Sequence, residues 1–237
     1  MDDEWSEDEE MVDSAFLELR RRLDLYGRVK PYRISGSVVY RNFTWKKFPE
    51  HTLSVFYSTY GARFPDHGTK LFERITQLCT EVSFSSSFPF GFPQGKSFTS
   101  RLDEFAGLMR TKRIDDPQPA DNDRNVDVIA YKRFDDHRDN SVLMFIQCTA
   151  GAKWNTKKPV PIESFKRYFH FSGKATISSL AITQVIDLND WRNATDDYGI
   201  VLDRARLYRI ISSTSFTSKT SLRNSILKWC SGKLKEK

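Results

Sequence analysis

The fold depends on two stretches of the sequence, Asn125-Val126-Asp127-Val128-Ile129-Ala130-Tyr131 and Val142-Leu143-Met144-Phe145-Ile146-Gln147-Cys148-Thr149. Both are rich in β-branched and aromatic residues, which fit the pleated surface of a buried sheet. The polar segment between them, Asp-Asp-His-Arg-Asp-Asn at 135–140, predicts a turn. The centre of the chain is therefore predicted to be an antiparallel hairpin.

Each predicted strand carries one polar residue among apolar neighbours. A turn centred on His137 places Asp127 opposite Gln147, so that both side chains project from the same face. Carboxylate and amide oxygens suit a hard cation such as Mg²⁺, which takes one or two protein carboxylates and completes its shell with water or phosphate. The pair is therefore a candidate metal site. The alternative is a Gln that hydrogen-bonds at a strand edge and an Asp that closes a turn.

The order of these residues along the chain resembles a known family. The run from Gly68 to about Arg209 is similar to the restriction-endonuclease-like PD-(D/E)XK superfamily, and within it to the Mrr-like branch. That branch begins with an amphipathic helix bearing a Phe-Glu pair, here Phe72-Glu73, followed by an Asp on one strand and a Gln on the next. Asp127 and Gln147 match those two positions. The resemblance implies an α/β (α+β) fold, with a mixed central sheet flanked by helices and an amino-terminal extension.

Two positions depart from the family pattern. The family lysine lies two residues beyond the Gln, where this chain has Thr149, and Lys153 and Lys157 are the candidates for a lysine displaced along the chain. Reach favours Lys153, because Lys157 needs a helical turn over residues 154–156 to approach the site. The Gly usually found two residues before the Asp is Asn125 here.

The resemblance also implies a mechanism. Asp127, Gln147 and the carbonyl of Cys148 would hold Mg²⁺ or Mn²⁺, while Lys153 or Lys157 would stabilise the charge that builds on the phosphate. Glu73 is a further candidate acid, although its place opposite the apolar stripe of its helix predicts a solvated carboxylate.

The implied function is that of a metal-dependent endonuclease that hydrolyses DNA phosphodiester bonds, in defence against foreign DNA. A homodimer, or a protein partner in a defence complex, would fit that role. One alternative is an endonuclease-fold module that has lost catalysis and binds nucleic acid. Another is a non-enzymatic subunit that docks a larger complex.

Charge is distributed unevenly over the 237 residues. The net charge is +6, but residues 1–10 hold seven acids and no base, which leaves 37 basic against 24 acidic residues in the rest. A body with this excess of positive charge attracts polyanions, and DNA is the partner that we expect. The alternative is that the lysines and arginines only solvate the surface.

Composition excludes several other classes of protein. No segment approaches the ~20 apolar residues that cross a bilayer, and the acidic amino end does not resemble a secretory signal, so we expect a cytoplasmic protein without membrane contact. The three cysteines lack the spacing of a zinc site or a disulfide framework. A nucleophile elbow and a Gly-rich phosphate loop are also missing.

The patterning along the chain predicts four regions. These are a disordered acidic tail at 1–10, an amino-terminal helix and small β-containing subdomain at 11–66, an endonuclease-like core at 67–211, and a basic carboxy-terminal helix at 212–237. Within them, the predicted helices cover 11–25, 67–82, 98–109 and 161–171 and a basic helix from 203, and the later strands lie near 175–187 and 198–202.

Overall fold

The fold is taken from a computed structural model. The structure describes residues 3–61, 67–91, 97–118, 121, 124–134, 136, 141–151, 153–170, 175–213 and 220–235.

A five-stranded mixed sheet forms the centre of the protein, in the order β3-β4-β5-β6-β7. The first three strands pair antiparallel, whereas β5, β6 and β7 pair parallel. The strands are β3 (Ser86–Pro89), β4 (Val128–Lys132), β5 (Val142–Thr149), β6 (Thr176–Ile182) and β7 (Ile200–Leu202). A mixed sheet with helices on both sides confirms the predicted α+β class and is consistent with a restriction-endonuclease-like layout.

The central hairpin has the predicted register. Val128 pairs with Ile146, and Lys132 pairs with Val142. One further step along each strand brings Asp127 level with Gln147, as the turn about His137 requires. Of that turn, only Asp136 lies within the described residues.

Helices cover both faces of the sheet. The first face packs on α2 (Pro49–Tyr60), α3 (Gly68–Phe84), α7 (Arg204–Ser213) and α8 (Thr220–Lys235). The second face packs on α4 (Phe98–Met109), α5 (Ile162–Lys166) and α6 (Leu188–Tyr198). Side chains alternate along β5, so Met144 and Ile146 enter the first-face core, while Leu143 and Phe145 enter the second-face core.

The amino-terminal region differs from the prediction in two ways. Helix α1 spans Asp3–Leu25, so residues 3–10 are helical and the disordered tail is wrong for them. Glutamate is a good helix former, and acids at a helix amino terminus are stabilised by the helix dipole. The stretch around Leu53 and Tyr57, expected in a β-containing subdomain, is part of α2. Both side chains lie in the same core as Val128 and Ile146, so α2 packs as part of the main body.

Short strands β1 (Tyr32–Ser35) and β2 (Val38–Arg41) form a separate antiparallel hairpin beside α1. The Tyr32 hydroxyl donates to the carbonyl of Leu19 at 2.7 Å and so ties this hairpin to α1. It is the only part of the expected β-containing subdomain that is extended among the described residues.

Several elements of the core were missed or misjudged in length. Helix α6 lies between the two predicted strands, where no helix was predicted, and β3 lies before α4 in a stretch where no strand was predicted. Helix α5 has five residues instead of the expected eleven, and Pro161 occupies the N-cap position directly before it. No helix in the described part of the chain is long and apolar enough to span a membrane.

Candidate functional site

Asp127 lies directly before β4 and is held on both sides by backbone bonds. Its N–H donates to the carbonyl of Ile146 at 2.9 Å, and its carbonyl accepts from the N–H groups of Phe90 and Gly91 at 2.8 and 2.9 Å. Its carboxylate Oδ2 accepts from the Cys148 N–H at 2.7 Å. The side chain therefore closes the end of the hairpin beside Gln147, where a further ladder bond would otherwise form.

Two left-handed residues lead the chain into this position. Arg124 has φ +53° and Asn125 has φ +62°. Few residues other than Gly adopt this conformation, but Asn does so more readily than most. Asn125 therefore suits the left-handed backbone at this position. The next residue, Val126, is then fully buried in the second-face core.

Gly91 packs directly against Asp127. A Cβ added at Gly91 would lie 3.0 Å from Asp127 Oδ1 and 3.2 Å from its Cα. Because Gly91 has no side chain, the Asp127 carboxylate can occupy this space. Sequence reasoning did not assign Gly91 a role; its only signal was a Gly within the run Phe88-Pro89-Phe90-Gly91-Phe92.

Gln147 is buried, with 6% of its surface exposed. Its Oε1 has no hydrogen-bond partner among the atoms that the structure describes. A buried, unpaired amide oxygen costs about 1–3 kcal/mol, so such an atom needs an explanation. Gln147 also lies on the same face as Phe145, because side chains alternate along the strand. The site therefore opens on the second face of the sheet.

Cys148 points to the other face of β5 and contacts the first-face core. Burial raises the pKa of its thiol well above the ordinary value, and the nearby carboxylates of Asp127 and Glu73 raise it further. A hydrogen bond with Thr76 and the charge of Lys70 act in the opposite direction. The thiol therefore stays protonated at neutral pH and is not a nucleophile.

Glu73 is more covered than the sequence predicted, with its side chain 19% exposed. Both of its carboxylate oxygens accept from Lys70 Nζ at 2.9 Å. This pair lies on α3, which packs on the first face, so strand β5 separates it from the face that bears Gln147. Glu73 therefore approaches the end of the hairpin from the first face, where its carboxylate and that of Asp127 both act on the Cys148 thiol.

Lys153 and Lys157 flank a short 3-10 helix, Trp154–Thr156, and both are exposed. The helical turn that Lys157 requires is thus present. Trp154 packs against the cluster containing Leu180 and Ile182, which lie on the Gln147 face. The segment bearing the two lysines is therefore on the same face as Gln147.

The lysine segment is fastened to neighbouring elements through its backbone. The Tyr198 hydroxyl donates to the carbonyl of Lys157 at 2.7 Å. Upstream, Thr183 Oγ1 donates to the carbonyl of Ala150, and Gln184 Nε2 to that of Gly151, each at 3.1 Å. These bonds fix the direction in which the chain leaves β5. Sequence reasoning missed them because the partners lie more than thirty residues away.

The donor set fits a divalent cation with few protein ligands. Among the described residues, no three His, Cys, Asp or Glu side chains lie together as a ligand group. Asp127 and Gln147 nevertheless bring one carboxylate and one unpaired amide oxygen to the same end of the hairpin. Mg²⁺ is often held by one or two carboxylates, with water and substrate phosphate as its other ligands.

Comparison of the chain with protein-family models, curated proteins and solved structures finds no significant match.

Proposed function

We propose that this protein is a Mg²⁺- or Mn²⁺-dependent endonuclease that hydrolyses DNA phosphodiester bonds. The observation that carries the proposal is the buried Oε1 of Gln147, which has no partner among the described residues, at the end of the hairpin that Asp127 closes. A bound cation would use that oxygen. The mixed α+β sheet and the order Phe72-Glu73, Asp127, Gln147 support a restriction-endonuclease-like enzyme, and through that resemblance a role in defence against foreign DNA.

Asp127 and Gln147 would hold the cation. The Cys148 carbonyl is a third candidate, because the N–H and C=O of one strand residue point to the same side, and its N–H points to Asp127. When bound, such a cation polarises the scissile phosphate and makes a bound water a better nucleophile.

The protein side chains have separate tasks. The backbone bonds of Asp127, with the Cys148 N–H bond to its carboxylate, hold that carboxylate in one place, so little reorganisation is needed when substrate arrives. Lys153, or Lys157, would place a positive charge where negative charge builds on the phosphate oxygens. Glu73 is better understood as the ion-pair partner of Lys70, on the far side of β5.

A second candidate function is DNA binding without cleavage. Thr149, at the position of the family lysine, is buried, with 6% of its surface exposed. Gln147 is neutral and contributes a weaker ligand than a carboxylate. Both features are expected in a module whose nuclease centre has decayed.

Incubation of purified protein with supercoiled plasmid separates the two functions. We expect nicked or linear product with Mg²⁺ or Mn²⁺, none in EDTA, and a loss of about 10³-fold or more in Asp127→Asn, because the isosteric amide removes the only charged ligand. Asp190→Asn, an exposed acid in the first turn of α6, is the matched control. Retardation of the plasmid without any cleavage, at every metal concentration, favours the decayed module. Equal cleavage by Asp127→Asn and the wild type contradicts the proposed site.

A further inference from the structure

The β1–β2 hairpin lies in a segment of unbalanced charge. Residues 25–49 contain six basic residues and no acidic residue. The six are Arg28, Lys30, Arg33, Arg41, Lys46 and Lys47. The described residues include one ion pair from this set, between Lys30 and the exposed Asp24 at 3.6 Å. The segment therefore presents positive charge that the described part of the protein does little to neutralise.

The hairpin projects from the body with one face open to solvent. All four residues of β2 are exposed, and Val38 and Tyr40 keep 48% and 41% of their surfaces. Arg33 pairs with Tyr40, and its guanidinium carbon lies 4.6 Å from the centroid of the tyrosine ring. Stacking on the ring leaves the N–H groups in the guanidinium plane available to hydrogen-bond acceptors.

The base of the hairpin is anchored while its tip is open. The Asn42 N–H donates to the carbonyl of Pro31 at 3.1 Å, and its Nδ2 donates to that of Lys30 at 3.0 Å. The Tyr32 hydroxyl binds the carbonyl of Leu19 in α1. At the tip, Gly36 has φ +58°, as a tight two-residue turn requires. The arginines are thus carried on an element whose direction is held before any partner binds.

Charge and shape together favour one kind of partner. A two-stranded ribbon is narrow enough to enter the major groove of duplex DNA, and arginines on it can reach phosphates and base edges. A protein partner that packed on the exposed Val38 and Tyr40 would also need acidic residues to match the six basic groups. We propose that the β1–β2 hairpin is a binding element for double-stranded DNA, with Arg33 and Arg41, which project from its two opposite faces, contacting phosphates on either side of the groove. This inference rests on the proposed function only in taking DNA as the ligand.

Duplex affinity tests the inference without requiring cleavage. The full chain in EDTA is titrated against a short fluorescein-labelled duplex over a salt series, and anisotropy gives Kd. We expect the double variant Arg33→Gln/Arg41→Gln to bind about tenfold more weakly at low salt and to lower the slope of log K against log salt by ~2, since two phosphate contacts are lost. The control is Lys112→Gln/Lys132→Gln, which removes the same charge from exposed positions elsewhere.

The outcomes separate this inference from the nuclease proposal. A loss confined to the hairpin pair supports the binding element, even if the wild type never cuts plasmid. Equal losses in both pairs mean that the hairpin has no special part and overturn the inference. An unchanged Kd in the hairpin pair also overturns it. Matching far-UV circular dichroism of all variants ensures that folding is not the cause.

Discussion

The protein contains two antiparallel hairpins with opposite surroundings. The β4–β5 hairpin is covered on both faces, and Val128, Ile129, Phe145 and Ile146 retain almost no exposed surface. The β1–β2 hairpin has four-residue strands, and all of β2 is exposed. Packing on both faces specifies one register, because a shift of one residue would exchange the two cores. The covered hairpin can therefore hold Asp127 beside Gln147, whereas the open one is suited to contact a partner.

Among the substitutions that test this contrast, the largest effect that we expect concerns the lysine on the Gln147 face. At saturating protein, Lys153→Ala should lower the single-turnover cleavage rate by ~10²-fold, because a charge that contacts the transition state is lost. Lys70→Ala is the matched control, since Lys70 pairs with Glu73 on the opposite face and should change the rate little. Lys157→Ala, measured in parallel, decides between the two lysines.

Rapid-quench measurements on the three variants check this prediction. A large loss in Lys70→Ala with normal rates in the other two would assign the chemistry to the first face of the sheet. The assignment of the catalytic lysine to the Gln147 face of the β4–β5 hairpin would then be wrong.

The second prediction compares the same substitution in both hairpins. Val128→Ala removes two methyl groups at a position that is 1% exposed, whereas Val39→Ala removes them at one that is 43% exposed. We expect Val128→Ala to lower the free energy of unfolding by about 2 kcal/mol, and Val39→Ala by less than about 0.5 kcal/mol. Urea unfolding followed by circular dichroism measures both, and similar losses would show that β2 is covered in solution.

The smallest effect concerns one glycine from each hairpin. Gly91→Ala brings a Cβ within 3.0 Å of Asp127 Oδ1, so it should displace the carboxylate and slow cleavage about tenfold. Gly36→Ala meets no atom within 4 Å. It strains a left-handed turn by ~1 kcal/mol, so it should weaken duplex binding slightly and leave cleavage at saturating protein unchanged. Paired cleavage and anisotropy assays on both variants measure this, and the reverse pattern would exchange the roles of the two hairpins.

Strong local patterns were enough to predict much of the fold. Helix α4 has the predicted bounds, Phe98–Met109, and α3 is close to its prediction. In α3, however, the polar Thr76 and Thr80 are buried, while the apolar Val82 is 51% exposed. The apolar pattern of a helix identifies the element, but which turn faces the core depends on the sheet beneath it.

Elements without a strong periodic pattern were missed. Helix α6 has a charged sequence and buries only Ala194 and Tyr198, so periodicity gave little sign of it. The polar stretch before Asp127 also carries no periodic pattern. Yet Asp121 accepts a hydrogen bond from Tyr168 and pairs with Arg124 and Arg167. Tyr168, which donates that bond, lies forty-seven positions away from Asp121, so local sequence cannot indicate it.

By itself, the sequence determined the central hairpin and the alignment of Asp127 with Gln147, because a turn centred on His137 pairs those two positions. The α+β class followed from the family resemblance of the sequence. Only the tertiary structure decided which face of the sheet each candidate occupies. It left the Gln147 oxygen buried and unpaired, paired Glu73 with Lys70 on the opposite side, and attached residues 153–157 to the Gln147 face through Trp154 and Tyr198. These contacts join elements distant in sequence, so they arise only when the helices pack on the sheet.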